Sequence, residues 1–261
     1  MVKQVESRIK IFETGISNGV MSRNKKFYPE NLTEEEIKKI FLETRINVGK
    51  NYGFDGKKMF QALQKTENNN VEYEDGKYHV ITKEDIDNDD LWYVNIPADI
   101  LIISKDYPKI VVGNQMADCP VLIVEDRRLG VTALSHCGAP YINRELPRQT
   151  VESLIKEYNS QIEDLYIYVG SFAKKESFIY DRYPKWATNE KVWNNAIIKN
   201  NNNFHIDMEQ AIKNQLEEFN IQNMEFSKND TMTDKIHYSH SASFNGNKEK
   251  FGQNFVGFYY L

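Results

Sequence analysis

The sequence has little of what would settle its class at sight. Only two of its 261 residues are cysteine, Cys119 and Cys137. A disulfide framework needs more, so the chain suits a reducing compartment. No window approaches the ~18 apolar residues of a membrane span. The first residues, Met1-Val2-Lys3-Gln4-Val5-Glu6, are polar and lack the apolar core of a secretory signal. Both absences point to a cytoplasmic protein without a membrane partner. Positive charge is not in excess, because 33 Lys and Arg stand against 38 Asp and Glu, a net charge of −5. Lys25, Lys26, Lys38 and Lys39 lie among acids and read as solvated faces. Without a basic stripe, nucleic acid is not the expected partner. Neither G-x-G-x-x-G nor a P-loop occurs, so nothing supports a dinucleotide or ATP site. Internal repeats and Pro/Gly/Ser linkers are also missing, which leaves one continuous domain over residues 1–261 as the simplest organisation.

What is present is an ordinary globular balance, 40% hydrophobic and 27% charged, on a chain long enough to bury a sizeable core. Asn runs at 68–70 and 200–203 read as surface loops. Thr33 followed by Glu36 is a capping box that opens a helix through about Arg45. Residues 100–103, 121–124 and 131–134 are short apolar runs, the pattern of strands buried on both faces. Residues 126–130 form the turn between the second and third. Residues 146–158 carry Val151, Leu154, Ile155 and Tyr158 on one helical face. A strand over 165–169 ends at Gly170. Asp207 and Gln210 cap a helix whose apolar face is Met208, Ala211, Ile212, Leu216 and Phe219. Residues 255–261 form a terminal strand packed by Phe255, Phe258, Tyr259 and Tyr260. The mixture predicts an α/β (α+β) fold with a mixed β-sandwich core flanked by helices.

The stretch that carries chemistry is Gly113-Asn114-Gln115-Met116-Ala117-Asp118-Cys119-Pro120, then a hairpin, then Ser135-His136-Cys137-Gly138. A Cys at the start of one strand and a His at the end of its hairpin partner are placed to meet. Thiolate and imidazole together bind a soft or borderline metal. Alternatively, the imidazole deprotonates the thiol and makes it a nucleophile. The same residues also suit a small buried hydrophobe and a hydrogen-bonded structural histidine.

Ala117-Asp118-Cys119-Pro120 resembles the T-A-D-C-x-P motif of the laccase-domain family, also called multicopper polyphenol oxidase-like or purine nucleoside phosphorylase. Leu134-Ser135-His136-Cys137-Gly138 resembles its H-A-G-W-R-G motif. Ala98-Asp99-Ile100-Leu101-Ile102, Asn18-Gly19-Val20-Met21-Ser22, Tyr168-Val169-Gly170-Ser171, His205-Ile206-Asp207 and Ile236-His237-Tyr238-Ser239 match further segments in the family's order. The resemblance implies a mixed sandwich with outer helices, related to a bacterial deamidase that works by a Cys-His pair. It implies a purine nucleoside as substrate, with phosphorylase and adenosine deaminase activities. It also implies zinc or copper held by a Cys and two His, of which Cys119 and His136 match two. Cys119, His136 and Asp118 are then the expected catalytic residues. Asp118 either orients a neighbouring group or caps a turn.

The chain departs from the family at several of these positions. Gln61-Ala62-Leu63-Gln64 stands where the family has Q-V-H-G, so Leu63 replaces a metal ligand and His79 is the nearest substitute in sequence. Family arginines are replaced near Ser17, at Pro140 and in the segment 239–241. A guanidinium grips phosphate bidentately, so phosphorolysis is the activity these losses threaten. His237 and His240 offer a replacement positive charge or fill packing and surface positions. Arg144 and Arg148 follow His136 closely. Cys137 stands where the family has a small residue, and its expected role is structural. Two further functions remain open: a metal-independent Cys-His hydrolase or deamidase, and a catalytically degenerate protein that binds a partner.

Overall fold

A computed structural model describes residues 6–57, 59–65, 71–87 and 94–261. The polar residues 1–5 and the Asn run 68–70 lie outside them. The described strands are β1 (Ile9–Glu13), β2 (Met59–Ala62), β3 (Tyr78–Val80), β4 (Val94–Ile96), β5 (Ile100–Ser104), β6 (Val111–Met116) and β7 (Val121–Asp126). They continue with β8 (Val131–His136), β9 (Leu165–Val169), β10 (Ile179–Tyr180), β11 (Ile197–Asn200), β12 (Asn203–Ile206), β13 (Asn223–Phe226) and β14 (Asn254–Tyr260). The α-helices are α1 (Glu34–Tyr52), α2 (Lys83–Asp87), α3 (Ala139–Asn143), α4 (Leu146–Tyr158), α5 (Met208–Leu216) and α6 (His240–Phe244).

Two mixed sheets form the body. One runs β1-β14-β6-β2-β4 and the other β13-β9-β7-β8-β5-β3. The continuous apolar runs are explained by burial on both faces. In β5, Ile100 and Ile102 join the core under α4 and α5, while Leu101 and Ile103 join the core that also holds Phe60, Val112, Val256 and Phe258 of the other sheet. In β7, Leu122 and Val124 take the helix side, and Val121 and Ile123 the inter-sheet side. A third core, with Phe12, Met59, Val111, Phe255 and Tyr259, seats α1 through Val48. The layers are therefore α1, five strands, six strands, then α4 with α5.

The capping box at Thr33 forms in both directions, with Thr33 accepting from Glu36 N and Glu36 accepting from Thr33 N. The helix continues past Arg45 to Tyr52 because Arg45 and Val48 are buried. It stops at Gly53, which adopts the left-handed conformation at φ 88° that glycine reaches without steric cost. The helix over Leu146–Tyr158 and the Asp207 cap occur as expected, but α5 ends at Leu216 and Phe219 falls in a 3₁₀ turn. The exposed Asn run 200–203 is a hairpin turn, in which Asn200 ends β11, Asn201 and Asn202 form the turn and Asn203 opens β12. The two strands belong to a small sheet, β10-β12-β11.

Candidate functional site

The chain passes from one large sheet to the other between β6 and β7, through Ala117, Asp118, Cys119 and Pro120. Val121, the first residue of β7, lies opposite His136, the last residue of β8. Beyond that pair the strands stay together, because Cys137 N donates to Pro120 O at 2.8 Å. The Cys119 backbone thus reaches the level of Gly138. A Cβ added at Gly138 would sit 3.3 Å from Cys119 Sγ, so glycine there is what lets the thiol lie against the chain. The hairpin thus brings the two predicted residues to one corner of the sandwich.

The corner is half-buried, and its two reactive groups rest uncharged. Burial alone lowers the His136 pKa to about 4, so its ring is neutral. Its Nε2 is buried and lacks a hydrogen-bond partner. Burial, and secondarily the Asp118 charge, push the Cys119 thiol up to about 12. A thiol and an imidazole in these states rest as neutral groups rather than as an ion pair.

Asp118 orients its neighbours. Its backbone sits at φ 153°, a region that favours glycine and persists only where the surroundings hold it. One carboxylate oxygen accepts from Thr231 Oγ1 at 2.9 Å, the other from Ser241 N at 2.8 Å. Its carbonyl accepts from Ala173 N at 2.9 Å. The Ser241 bond lies in the first turn of α6, so Asp118 also helps cap that helix.

Several contributors carry no motif. Gln64 Nε2 donates to His136 O at 2.9 Å and fixes the segment 63–65 against the end of β8. The Tyr180 pKa is raised by burial first, lowered by its side-chain hydrogen bond with Trp186, and raised further by the acidic groups of Cys119 and Asp118. Tyr180 lies edge-on to Trp186 at 6.1 Å and Phe178 at 5.4 Å. On the far side of Asp118, His240 stacks on Phe27 at 5.4 Å, and its N donates to Ala117 O. His240 is therefore a packing residue whose pKa falls on burial. His237 is buried among carboxylates. Neither anchors a free cationic patch at Cys119. Arg144 pairs with Asp75 at 3.1 Å and lies over the Tyr141 ring, and Arg148 pairs with Glu152 and Glu218. Cys137 is buried in the core, with Sγ 3.3 Å from Ser135 Oγ.

A zinc or copper ion needs further donors beyond Cys119 and His136, since structural zinc takes four protein ligands and catalytic zinc three. Leu63, half-buried beside Gln64, offers none. Among the described residues no three His, Cys, Asp or Glu converge to hold a metal. Asp118 is committed as above, Asp99 accepts from Tyr73 and Gly76, and His79 is bonded to Asp85 on an edge strand. The orphaned His136 nitrogen suits a ligand, but the donor set does not fit the ion.

Residues 43–256 match the family described as multi-copper polyphenol oxidoreductase laccase. That span is most of the chain, and the protein belongs to this family. No curated protein sequence matches it. Among solved structures, it resembles the hypothetical protein YfiH of Bacillus licheniformis, with TM-score 0.66 and 16% identity over 86% of this chain and 82% of that one. YlmD of Geobacillus stearothermophilus aligns with TM-score 0.65 and 14% identity, covering 84% and 80% of the two chains. The Neisseria meningitidis protein NMB0706 gives 0.67 and 13%, covering 98% and 96%. These likenesses establish the shared mixed α/β fold. The copper in the family's description has no matching donor set among the described residues here.

Proposed function

We propose that this chain processes a purine nucleoside at Cys119 and His136, by hydrolysis or deamination rather than by phosphorolysis. The observation that carries the reading is the corner itself: a thiol and an unbonded imidazole nitrogen at neighbouring strand ends, in a chain of this family. The neutral His136 ring has a free lone pair with which to take a proton from an attacking water or from the Cys119 thiol. In deamination, water adds at the purine carbon that bears the amine, and ammonia leaves with the transferred proton. Phosphorolysis instead needs a cationic pocket for a dianion, and Arg144 and Arg148 are engaged with acids. Asp118 acts by holding the Cys119 backbone.

A second reading is favoured by Leu63. With one family ligand replaced, the same pair works as a metal-independent Cys-His hydrolase or deamidase, Cys119 as nucleophile and His136 as base. Both readings take a small molecule as partner rather than nucleic acid or a membrane. Among the described residues no helix is long and apolar enough to cross a membrane. The two free thiols suit the cytoplasm.

Incubation with inosine and adenosine, with and without phosphate, tests the proposal when free base, ammonia and ribose 1-phosphate are followed. Phosphate-independent product that is lost in C119A and H136A is expected. Robust ribose 1-phosphate formation would overturn the preference against phosphorolysis. No product from either nucleoside would overturn the substrate assignment and leave the second reading, tested on amide and ester substrates.

A further inference from the structure

A second cluster of titratable groups lies outside the corner and is more completely partnered. His237 is buried, with Nδ1 2.7 Å from Asp234 Oδ2 and Nε2 3.5 Å from Glu13 Oε2. Asp234 also faces Lys250, whose buried Nζ lies 3.6 Å from Oδ1 and donates to the Asp234 carbonyl. From the sheets, Glu13 accepts from Tyr168 OH at 2.8 Å, Ser171 N at 3.1 Å and Ser171 Oγ at 2.5 Å. Tyr52 OH donates to the Glu13 carbonyl. The charged groups facing His237 are thus Glu13 from β1, Asp234 from its own segment and Lys250 from the following turn, with the phenols of Tyr168 and Tyr52 behind Glu13.

The charge balance of this cluster depends on one proton. Two carboxylates and Lys250 leave one net negative charge when His237 is neutral, and none when it is protonated. A neutral ring that donates from Nδ1 to Asp234 turns its Nε2 lone pair toward the Glu13 carboxylate, which is repulsive. The protonated ring donates from Nδ1 to Asp234 and sets its positive charge 3.5 Å from Glu13 as an ion pair. The two carboxylates outweigh burial and raise the His237 pKa.

The segment that His237 anchors also holds Asp118. Thr231 and Ser241, on either side of His237 in the chain, supply the donors to the two Asp118 carboxylate oxygens. The middle of that segment is pinned to Glu13. Asp118 occupies a disfavoured backbone conformation, so its position, and that of Cys119 beside it, depends on those donors staying in place.

We propose that His237 is a positioning residue for the Cys119 corner, a proton-dependent clamp that holds residues 231–241 against Glu13 and thereby fixes Asp118. The proposal takes the Cys119–His136 corner as the working site. Its test reads thiol accessibility, so a failed nucleoside assay leaves it standing.

The experiment uses the full chain carrying C137A, so that Cys119 is the single thiol, and follows its modification by an aromatic disulfide reagent from about pH 5.5 to 9, the range of histidine titration. H237Q and the milder E13Q, each confirmed folded by circular dichroism, are compared with the C137A parent at each pH, which cancels the ordinary ionisation of the thiol. H237Q is expected to speed modification about tenfold near pH 6, a local opening of the kind that frees a loop. The ratio is expected to fall toward one at alkaline pH, where the parent clamp is itself discharged. E13Q should act in the same direction with smaller amplitude. A ratio near one at every pH in both folded variants, or a raised ratio that does not change with pH, would overturn the proposal.

Discussion

His136 is a half-buried imidazole and His237 a buried one, and their surroundings drive them in opposite directions. His136 has an unbonded ring nitrogen, and burial alone lowers its pKa to about 4. His237 lies between two carboxylates, which raise its pKa although burial opposes them. The difference teaches what burial means for a titratable group. Without a partner, burial discharges the group and leaves a lone pair free to react or to ligate. With opposite charges in place, burial holds the charge and turns the group into a fastener. The corner at Cys119 is built the first way and the segment that holds it the second.

The sharpest way to break that comparison is the pH dependence of stability. For His136 the folded-state pKa is depressed, so its contribution is complete above the unfolded value of about 6.5 and is lost as pH falls toward 4. At 1.36 kcal/mol per unit the loss is at most roughly 3 kcal/mol, and residual exposure of the residue reduces it. For His237 the folded-state pKa is raised, so its contribution is complete below about 6.5 and is lost as pH rises through the raised value. Thermal unfolding across pH should therefore show H136Q flattening the acid limb and H237Q flattening the alkaline limb. Removing His237 also leaves buried carboxylates uncompensated, which costs about 3–5 kcal/mol at the pH optimum. Identical pH profiles for the two variants would show that the environments are not opposite.

A smaller effect is expected from metal. The corner has two donors where a tight zinc site needs at least three protein ligands, so elemental analysis of purified protein should find well under about 0.1 zinc per chain. L63H adds an imidazole to the segment that Gln64 ties to the His136 carbonyl, and should raise zinc retention about tenfold or more, in line with the weight of a single ligand or its support. One tightly held zinc in the unaltered chain would mean that a donor was overlooked. Unchanged retention in L63H would mean that residue 63 does not face the pair.

The body of the fold was legible because its strands are covered on both faces. Runs such as 100–103 and 121–124 then stand out without any alternation to decode. The Cys119–His136 corner was legible for a related reason: the turn at 126–130 makes β7 and β8 a hairpin, and hairpin register is local. Tyr180, Gln64, Thr231 and the His237 clamp were not. Tyr180 belongs to a two-residue strand too short for a periodic signal. Thr231 and Ser241 reach Asp118 from more than a hundred residues away in sequence. Glu13 and His237 sit at opposite ends of the chain. Their meeting depends on β1 pairing with β14, and no spacing rule encodes that.

The smallest effect is expected at the other thiol. Cys137 follows His136 directly, yet its side chain points into the core beneath α4 with Ala139, Ile142 and Val151. Sγ meets Ser135 Oγ at 3.3 Å, and that hydroxyl is held in turn by Thr150 Oγ1 at 2.7 Å. Cys137 is fully buried in that core whereas Cys119 is partly exposed, so substrate and reagents have no access to the Cys137 sulfur. C137A removes one sulfur atom and opens a void smaller than a Leu-to-Ala cavity, so it should cost about 1 kcal/mol. The Ser135 hydroxyl keeps its bond to Thr150 and is not left unsatisfied. Activity should be unchanged within about twofold, whereas C119A abolishes it, as removal of a nucleophile does. Chemical denaturation and the nucleoside assay on both variants check this. A loss in C137A matching that in C119A would move the reactive thiol from the crossover loop into the core.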